Sequence, residues 1–296
     1  MYQVFSEAQQ DAKHLPSNSN HINYSLFKEF ECKLPFRSFS IKYVVEGCEK
    51  YTINGNRFHV TDGQYLLANQ FSEGTVHIES KKTVRGICID LSMNILSEVV
   101  ASHQRPDTPI ADLALDHFFS SADFLENQYT AARTNTGKLL LGLGSILSRN
   151  PFLAHEFTSE FYYQLAEGLV QDHQPIYQQI KAVSSIRMAT KKELVRKVNH
   201  GKEFMDAYFC QSLEIADIAK ESGLSEYHFY RLFKSVFGVS PYQYILHKRL
   251  DAALDSIKSG HSSLTDIALA TGFSDIHAFS KSFKKRFGVA PSGWVE

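Results

Sequence analysis

The 296-residue sequence has no apolar run near the ~20 residues that a helix needs to cross a bilayer. Its first residues, MYQVFSEAQQDAKHLP, lack a cationic start followed by an apolar stretch, so no secretory leader is expected. Cysteine is scarce. The four cysteines (Cys32, Cys48, Cys88 and Cys210) lie far apart, with no CxxC and no metal-ligand spacing. That pattern argues against a disulfide framework or a zinc site and points to reduced thiols in the cytoplasm. Charge of one sign is missing as well: 31 Lys+Arg stand against 32 Asp+Glu, for a formal net charge of −1. What remains is an ordinary globular composition, 43% hydrophobic and 21% charged. The length suggests about two domains at ~150 residues each.

The neutral total hides an asymmetry. Residues 1–190 hold 16 Lys+Arg against 20 Asp+Glu, whereas residues 191–296 hold 15 against 12. A mildly basic tail on an acidic body is compatible with a nucleic-acid partner for the tail. That tail repeats itself: FKSVFGVSP (233–241) returns as FKKRFGVAP (283–291). Ile215, Asp217, Ile218, Ala219, Gly223 and Ser225 match Leu264, Asp266, Ile267, Ala268, Gly272 and Ser274 at an offset of 49. After one inserted residue, Phe229, Arg231, Phe233, Lys234, Phe237, Gly238 and Pro241 match Phe279, Lys281, Phe283, Lys284, Phe287, Gly288 and Pro291 at an offset of 50. Each copy predicts two short helices. Ile215, Ile218 and Ala219 share a helical face, and Gly223 supplies a left-handed corner without a Cβ penalty. Ser225 caps the next helix, with Glu226 in its first turn. Phe229, Leu232, Phe233, Val236 and Phe237 then form a core stripe. A small Ala, a corner Gly four residues on and an aromatic anchor are the packing logic of a helix-turn-helix. Two copies are too few for a helical solenoid.

Between the copies, PYQYILHKRLDAALDSIKSG opens on Pro241, suited to a first turn, and closes on Gly260. Ile245, Leu250, Ala253, Leu254 and Ile257 give it an apolar face. A helix of ~18 residues is ~27 Å long, near the ~34 Å that separates successive major-groove faces on one side of B-DNA. A rod of that length would hold two reading heads against one duplex. Residues 190–296 resemble the DNA-binding domain of the AraC/XylS family of bacterial transcription regulators. The resemblance rests on IAKESGLSEYHFYRLFKSVFGVSPYQY (218–244), on IALATGFSDIHAFSKSFKKRFGVAPSGW (267–294) and on the RLDAALDSI linker (249–257). Trp294 stands where the family usually has Tyr, and Val295 where a basic residue commonly follows. The aromatic exchange should preserve packing, while the missing charge removes one phosphate contact.

The exposed face of the first recognition helix carries Tyr227, Tyr230, Arg231 and Lys234, paired at i, i+4. Arg231 is the candidate for a bidentate contact to guanine. In the second helix His277, Ala278, Ser280, Lys281 and Lys284 are exposed, and Lys284, Lys285 and Arg286 read as phosphate clamps or as a solvated charge run. Ile276 reads as core, three residues before Phe279, or as a contact to a thymine methyl. With Ser225 and Ser274, the set predicts a first unit that discriminates and a second that anchors.

From residue 24 to 92 short runs alternate, with NGN (54–56) and TDG (61–63) as hairpin turns. This predicts a small barrel, and it resembles the cupin-like sensor barrel found in front of AraC-type DNA-binding domains. His77 and Glu79 share a strand face and His59 lies on another, but the HxH of metal cupins is absent, so polar surface or pocket residues are expected rather than a metal centre. Tyr43, Tyr51, His77 and Cys88 are the candidates for lining a ligand pocket in the barrel mouth. Residues 93–189 read as helical, through ADLALDHFF, KLLLGLGSIL and EFTSEFYYQLAEGLVQDH, with apolar faces suited either to a dimer seam or to the barrel. KAVSSIRMAT (181–190) reads as the interdomain boundary and TKKE (190–193) as a capping box.

The expected fold is therefore multidomain α and β: a cupin-like barrel (1–95), a helical linker or dimerisation region (96–189) and an all-α double helix-turn-helix domain (190–296). The expected function is a cytoplasmic, sequence-specific, non-enzymatic DNA-binding regulator, an activator, without a cofactor. Double-stranded DNA is its partner, and a small effector or a homodimer are candidates. The family resemblance adds RNA polymerase. Two alternatives stand beside it: a metal-dependent cupin enzyme fused to a DNA-binding tail, and an adaptor with no ligand.

Overall fold

The computed structural model describes residues 2–7, 19–102, 113–151, 157–185, 187–260 and 263–294. Backbone contacts divide the chain into two units, Met1–Tyr177 and Gln178–Glu296. Val295, and the first residues of ADLALDHFF, lie outside the described residues.

Among its described residues the first unit holds eight strands: β1 (Tyr2–Ser6), β2 (His21–Pro35), β3 (Phe39–Glu46), β4 (Cys48–Ile53), β5 (Asn56–Thr61), β6 (Gln64–Ala68), β7 (Glu73–Leu91) and β8 (Asn127–Thr130). Period-two alternation sets the faces. In β4, Glu49, Tyr51 and Ile53 are buried and Lys50 and Thr52 are exposed; in β5, Phe58 and Val60 are buried. NGN makes the β4–β5 hairpin, with Asn54 at φ 48° and Gly55 at φ 82°, the two positive values of a two-residue hairpin loop. TDG is a turn, with Gly63 at φ 71°, but it is not a hairpin: β6 pairs with β3 and β8, and β5 with β4.

The two runs GTVHIES and TVRGICIDLS form one continuous strand, β7, which pairs with β2, β3 and β4. The register shifts twice along it: residues 80–83 of β7 stand opposite one residue of β2 between Phe27 and Glu29, and one extra residue of β3 falls between Val44 and Glu46. The strand path β1-β2-β7-β3-β6-β8 does not close on itself among the described residues, so a closed barrel is not what the pairing forms. Phe27, Val44, Tyr51, Phe58, Leu66 and Val76, from six different strands, nevertheless belong to one apolar core.

Helices α1 (Met93–Ser102), α2 (Leu113–Ser120), α3 (Asn135–Arg149) and α4 (Ser159–Ala182) complete the first unit. The opposite face of the sheet meets α2 through Phe39 and Phe119, α3 through Tyr43 and Gly144, and α4 through Tyr129 and His173. At Gly144 of α3 an added Cβ would stand 3.0 Å from the Tyr43 ring, which is how close helix and sheet come. Thr134 caps α3, and Asp172 of α4 accepts from the amides of Asn135 (3.0 Å) and Thr136 (2.9 Å), satisfying two donors that a helix start leaves open. The middle region is not wholly helical, because Asn127–Thr130 adds β8 to the sheet beside β6. Four residues without apolar periodicity carry no strand signal of their own.

The second unit takes in the end of α4 from Gln178 and, among the described residues, α5 (Met188–Tyr208), α6 (Ile215–Glu221), α7 (Glu226–Phe237), α8 (Pro241–Ser259), α9 (Leu264–Ala270) and α10 (Ile276–Phe287). TKKE does not start α5. The helix begins earlier, after extended Arg187, and Thr190 lies inside it with no cap to make. The linker helix α8 has the expected ends: Ser240 and Gln243 form a capping box, Pro241 occupies the first turn, and Gly260 closes it at φ 71°. Its apolar stripe splits along the helix. Leu250, Ala253 and Ile257 join Phe273, Phe279 and Phe283 in a core on the second copy's side.

Candidate nucleic-acid interface

The first copy folds as two helices around a glycine corner. Gly223 sits at φ 63°, and the next amide, Leu224 N–H, donates back to Ala219 O at 2.9 Å, closing α6. Ser225 is the N-cap of α7, its hydroxyl accepting from His228 N–H at 3.4 Å. Phe229, Leu232 and Phe233 are buried along one side. The ring of Phe229 and the Ser222 hydroxyl occupy the space beside Gly201 of α5 that a Cβ would take. This burial turns the other side of α7 outward. Tyr227 is 71% exposed and Tyr230 37%, with Arg231 and Lys234 exposed beside them. Arg231 Nη1 donates to Tyr227 Oη at 3.3 Å, and its guanidinium carbon lies 5.6 Å from the Tyr227 ring centroid. Such a contact restrains a long side chain before any partner arrives.

The second copy repeats the plan with one change. Gly272 makes the corner at φ 87°. The cap of α10, however, is Asp275 rather than Ser274: its carboxylate accepts from Ala278 N–H at 2.7 Å, while Ser274 Oγ donates to Asp275 at 3.1 Å. The inserted residue therefore falls before the cap, and Asp275 is the structural partner of Ser225. Those bonds, the Ala278 amide first, hold the Asp275 carboxyl below the usual aspartate range. His277, Ala278, Lys281, Lys284 and Lys285 are exposed and Ser280 half-buried, while Ile276 packs against the second core. Among the described residues no ion pair involves Lys234, Lys281, Lys284 or Lys285. Arg286 differs: its Nη2 lies 2.8 Å from both carboxylate oxygens of Asp251 on α8. It ties α10 to the linker instead of standing free as a phosphate clamp. Asp206 of α5 is a second hub that the sequence does not advertise, accepting from Lys202 (2.8 Å), Tyr244 Oη (2.7 Å) and Lys248 (3.1 Å).

The four candidate ligand residues do not converge. Tyr51 and Cys88 point to the inner face of the sheet, whereas Tyr43 packs beneath α3 on the other face. His77 pairs with Lys50 and Glu31 on an open surface, with Glu79 at 3.6 Å and Glu31 at 3.9 Å. Around Cys88 the inner face carries a polar network. Lys42 Nζ donates to Cys88 Sγ at 2.5 Å, His21 and Ser40 bond Asp90, and Tyr51 Oη donates to buried Glu49. Burial pushes the Cys88 thiol up to about 12, so it stays neutral. Burial also raises Glu49. Asp90 is held well below its usual range because Lys42, His21 and Ser40 outweigh its burial. Among the described residues no cluster of three His, Cys, Asp or Glu is placed to hold a metal, and no helix is long and apolar enough to cross a membrane.

Two helix-turn-helix units on one linker helix, each with an exposed recognition helix, define a double helix-turn-helix module. Residues 218–296 match the family model described as a helix-turn-helix domain. Over 86 residues the chain is 36% identical to "Probable transcription factor PqrA" of Proteus vulgaris, covering 29% of this chain and 70% of that one. Over 91 residues it is 34% identical to "Virulence regulon transcriptional activator VirF" of Yersinia enterocolitica, covering 31% of this chain and 34% of that one. A solved structure, a transcriptional regulator with an AraC-type DNA-binding domain from Chromobacterium violaceum, is 32% identical, covers 33% of this chain and 88% of its own, and superposes with a TM-score of 0.32. The chain belongs to the AraC family of transcriptional regulators. It spans only about a third of the length of curated relatives such as VirF, 34% in that case.

Proposed function

We propose that this protein is a sequence-specific DNA-binding regulator that activates transcription. In this reading α7 reads base edges through Tyr227, Tyr230, Arg231 and Lys234, with Ser225 fixing the helix start. The second helix-turn-helix copy anchors through Ser274, His277, Ser280, Lys281, Lys284 and Lys285, which meet mainly backbone. The observation that carries the reading is Arg231, held against Tyr227 on the exposed side of a helix whose other side is locked in a phenylalanine core. A guanidinium presented this way suits the paired acceptors of guanine. The activator role is supported by the name that VirF carries, and the relatives reported above are named as regulators rather than enzymes.

The organisation that goes with this function is a cupin-like sensor (1–95), a helical linker or dimerisation region (96–189) and the DNA-binding domain (190–296). The single apolar core shared by six strands supports the barrel-like reading of the sensor. A signal received there, from a small molecule or a protein partner, biases a DNA-competent state by differential binding.

The test is Arg231→Ala in the full chain, titrated at several salt concentrations against a duplex selected from random DNA and against scrambled duplex. Binding to the selected site is expected to weaken by about 1–3 kcal/mol, with preference relaxed at one or two positions. Equal weakening on both duplexes with a shallower salt dependence would make Arg231 a phosphate contact instead.

A further inference from the structure

Three polar ties join the linker helix α8 to its neighbours. Tyr244 and Lys248 reach Asp206 on α5, on the first head's side. Asp251 holds Arg286 of α10, on the second head's side. Arg249 reaches both heads. Its Nε donates to Phe209 O at 2.6 Å and its Nη2 to Gln211 O at 2.7 Å, both in the segment that leads from α5 into α6. The same guanidinium lies under the corner of the second head. A Cβ on Gly272 would stand 3.0 Å from Arg249 Cζ and Nε, and 2.6 Å from the Cys210 carbonyl oxygen between those two acceptors. Around this contact the heads are parted by an open cleft of about 490 Å³, lined by Leu213, Tyr242, Ile245 and Phe273 among others. Besides the packing of α8 on α7 and on α9, this is where the two heads meet directly, through the Cys210 carbonyl and the Gly272 corner.

We propose that Arg249 is a positioning residue that sets the register between the two recognition helices, so that the spacing of the two DNA half-sites is read as well as their bases. The inference rests on the proposed DNA-binding function. Its physics is geometric. One base pair more between half-sites moves the second by about 3.4 Å along the duplex and turns it by about 35° around the axis. Two heads joined by a flexible strap would follow such a change. Two heads that meet on one guanidinium, its fork bonded to the segment before α6 and the Gly272 corner packed against it, would not. Gln or Lys in its place cannot donate two parallel bonds from one planar group, while each head keeps its own phenylalanine core.

The experiment selects a bipartite duplex from random DNA with the full chain, then measures affinity at the selected spacing and at one base pair more and fewer. The unaltered chain is expected to lose about tenfold or more at either altered spacing, as it would for a mismatch, and Arg249→Gln and Arg249→Lys to differ by no more than about threefold among the three. A duplex with only the first half-site intact controls for folding, and on it the variants are expected to bind like the unaltered chain. The inference is overturned if the variants keep the original spacing profile, if their half-site binding falls as far as their bipartite binding, or if the unaltered chain selects only one half-site. A chain that selects no preferred duplex at all overturns the DNA-binding function itself.

Discussion

The two corner glycines are equivalent in sequence but not in structure, and replacing them one at a time should show it. Gly223 and Gly272 both adopt positive φ, 63° and 87°. Alanine at either position incurs about 1–2 kcal/mol for the left-handed conformation. Space separates them. At Gly223 the nearest atom to an added Cβ is Lys197 Cε, 3.9 Å away at the end of a flexible side chain, which is ordinary contact. At Gly272 the Cβ meets the Cys210 carbonyl at 2.6 Å and the Arg249 guanidinium at 3.0 Å, and neither can withdraw without breaking the bonds from Arg249 to Phe209 and Gln211. Overpacking of this kind adds roughly 1–3 kcal/mol. Gly272→Ala should therefore be destabilised by about 2 kcal/mol more than Gly223→Ala, on the order of 10 °C in midpoint for a domain near 100 residues.

The assay is available within the chain. Its single tryptophan, Trp294, lies in the second unit with Lys258 Nζ 5.8 Å from its ring, so tryptophan fluorescence on heating reports on that unit. Equal midpoints for the two alanine variants would refute the close approach of Gly272 to Cys210 and Arg249. A Gly223→Ala chain that melts like the original would refute the left-handed corner.

Two further outcomes are expected. His173, enclosed by Phe119, Phe124 and Tyr129, has its pKa pushed down to about 4 by burial, so the folded chain holds the ring neutral while the unfolded chain takes up a proton first as pH falls. Stability carried above the ordinary value near 6.5 should be lost on the way down towards 4, by about 2 kcal/mol at pH 5, and urea titrations should find that increment gone in His173→Phe; an unchanged acid dependence would sink the idea. Exposed Lys284 and Lys285, changed together to Ala, should weaken binding to selected and scrambled DNA alike and flatten the log K against log[salt] slope by ~0.9 for each phosphate no longer neutralised, whereas a change confined to the selected site would make them base readers.

What the sequence discloses and what it withholds follow one physical line. The helix-turn-helix units are legible because their information is local: a corner glycine, an N-cap and a phenylalanine stripe are all set by neighbours within one turn or two. The ends of α8 are legible for the same reason, through Pro241 and Gly260. The sheet is legible only as strands. Whether Tyr43 and Cys88 share a face depends on the register between β3 and β7, which shifts between Val44 and Glu46, and alternation within either run says nothing about that. The α5 start differs from the expected one because a cap pattern competes with whatever precedes it, and here the helix extends upstream to Met188. Asp275 escapes the repeat alignment although the inserted residue in the second copy announces it: an aspartate three residues before the amide it accepts from is as good a cap as serine. Arg249, Asp206 and the Arg286–Asp251 pair are beyond reach, because each joins elements 35 to 40 residues apart through groups that, in sequence, look like ordinary surface charge. The exposed faces of α7 and α10 are thus encoded locally, while the polar contacts that α8 makes with α5, the α5–α6 segment and α10 are encoded at long range, and changes to one should leave the other intact.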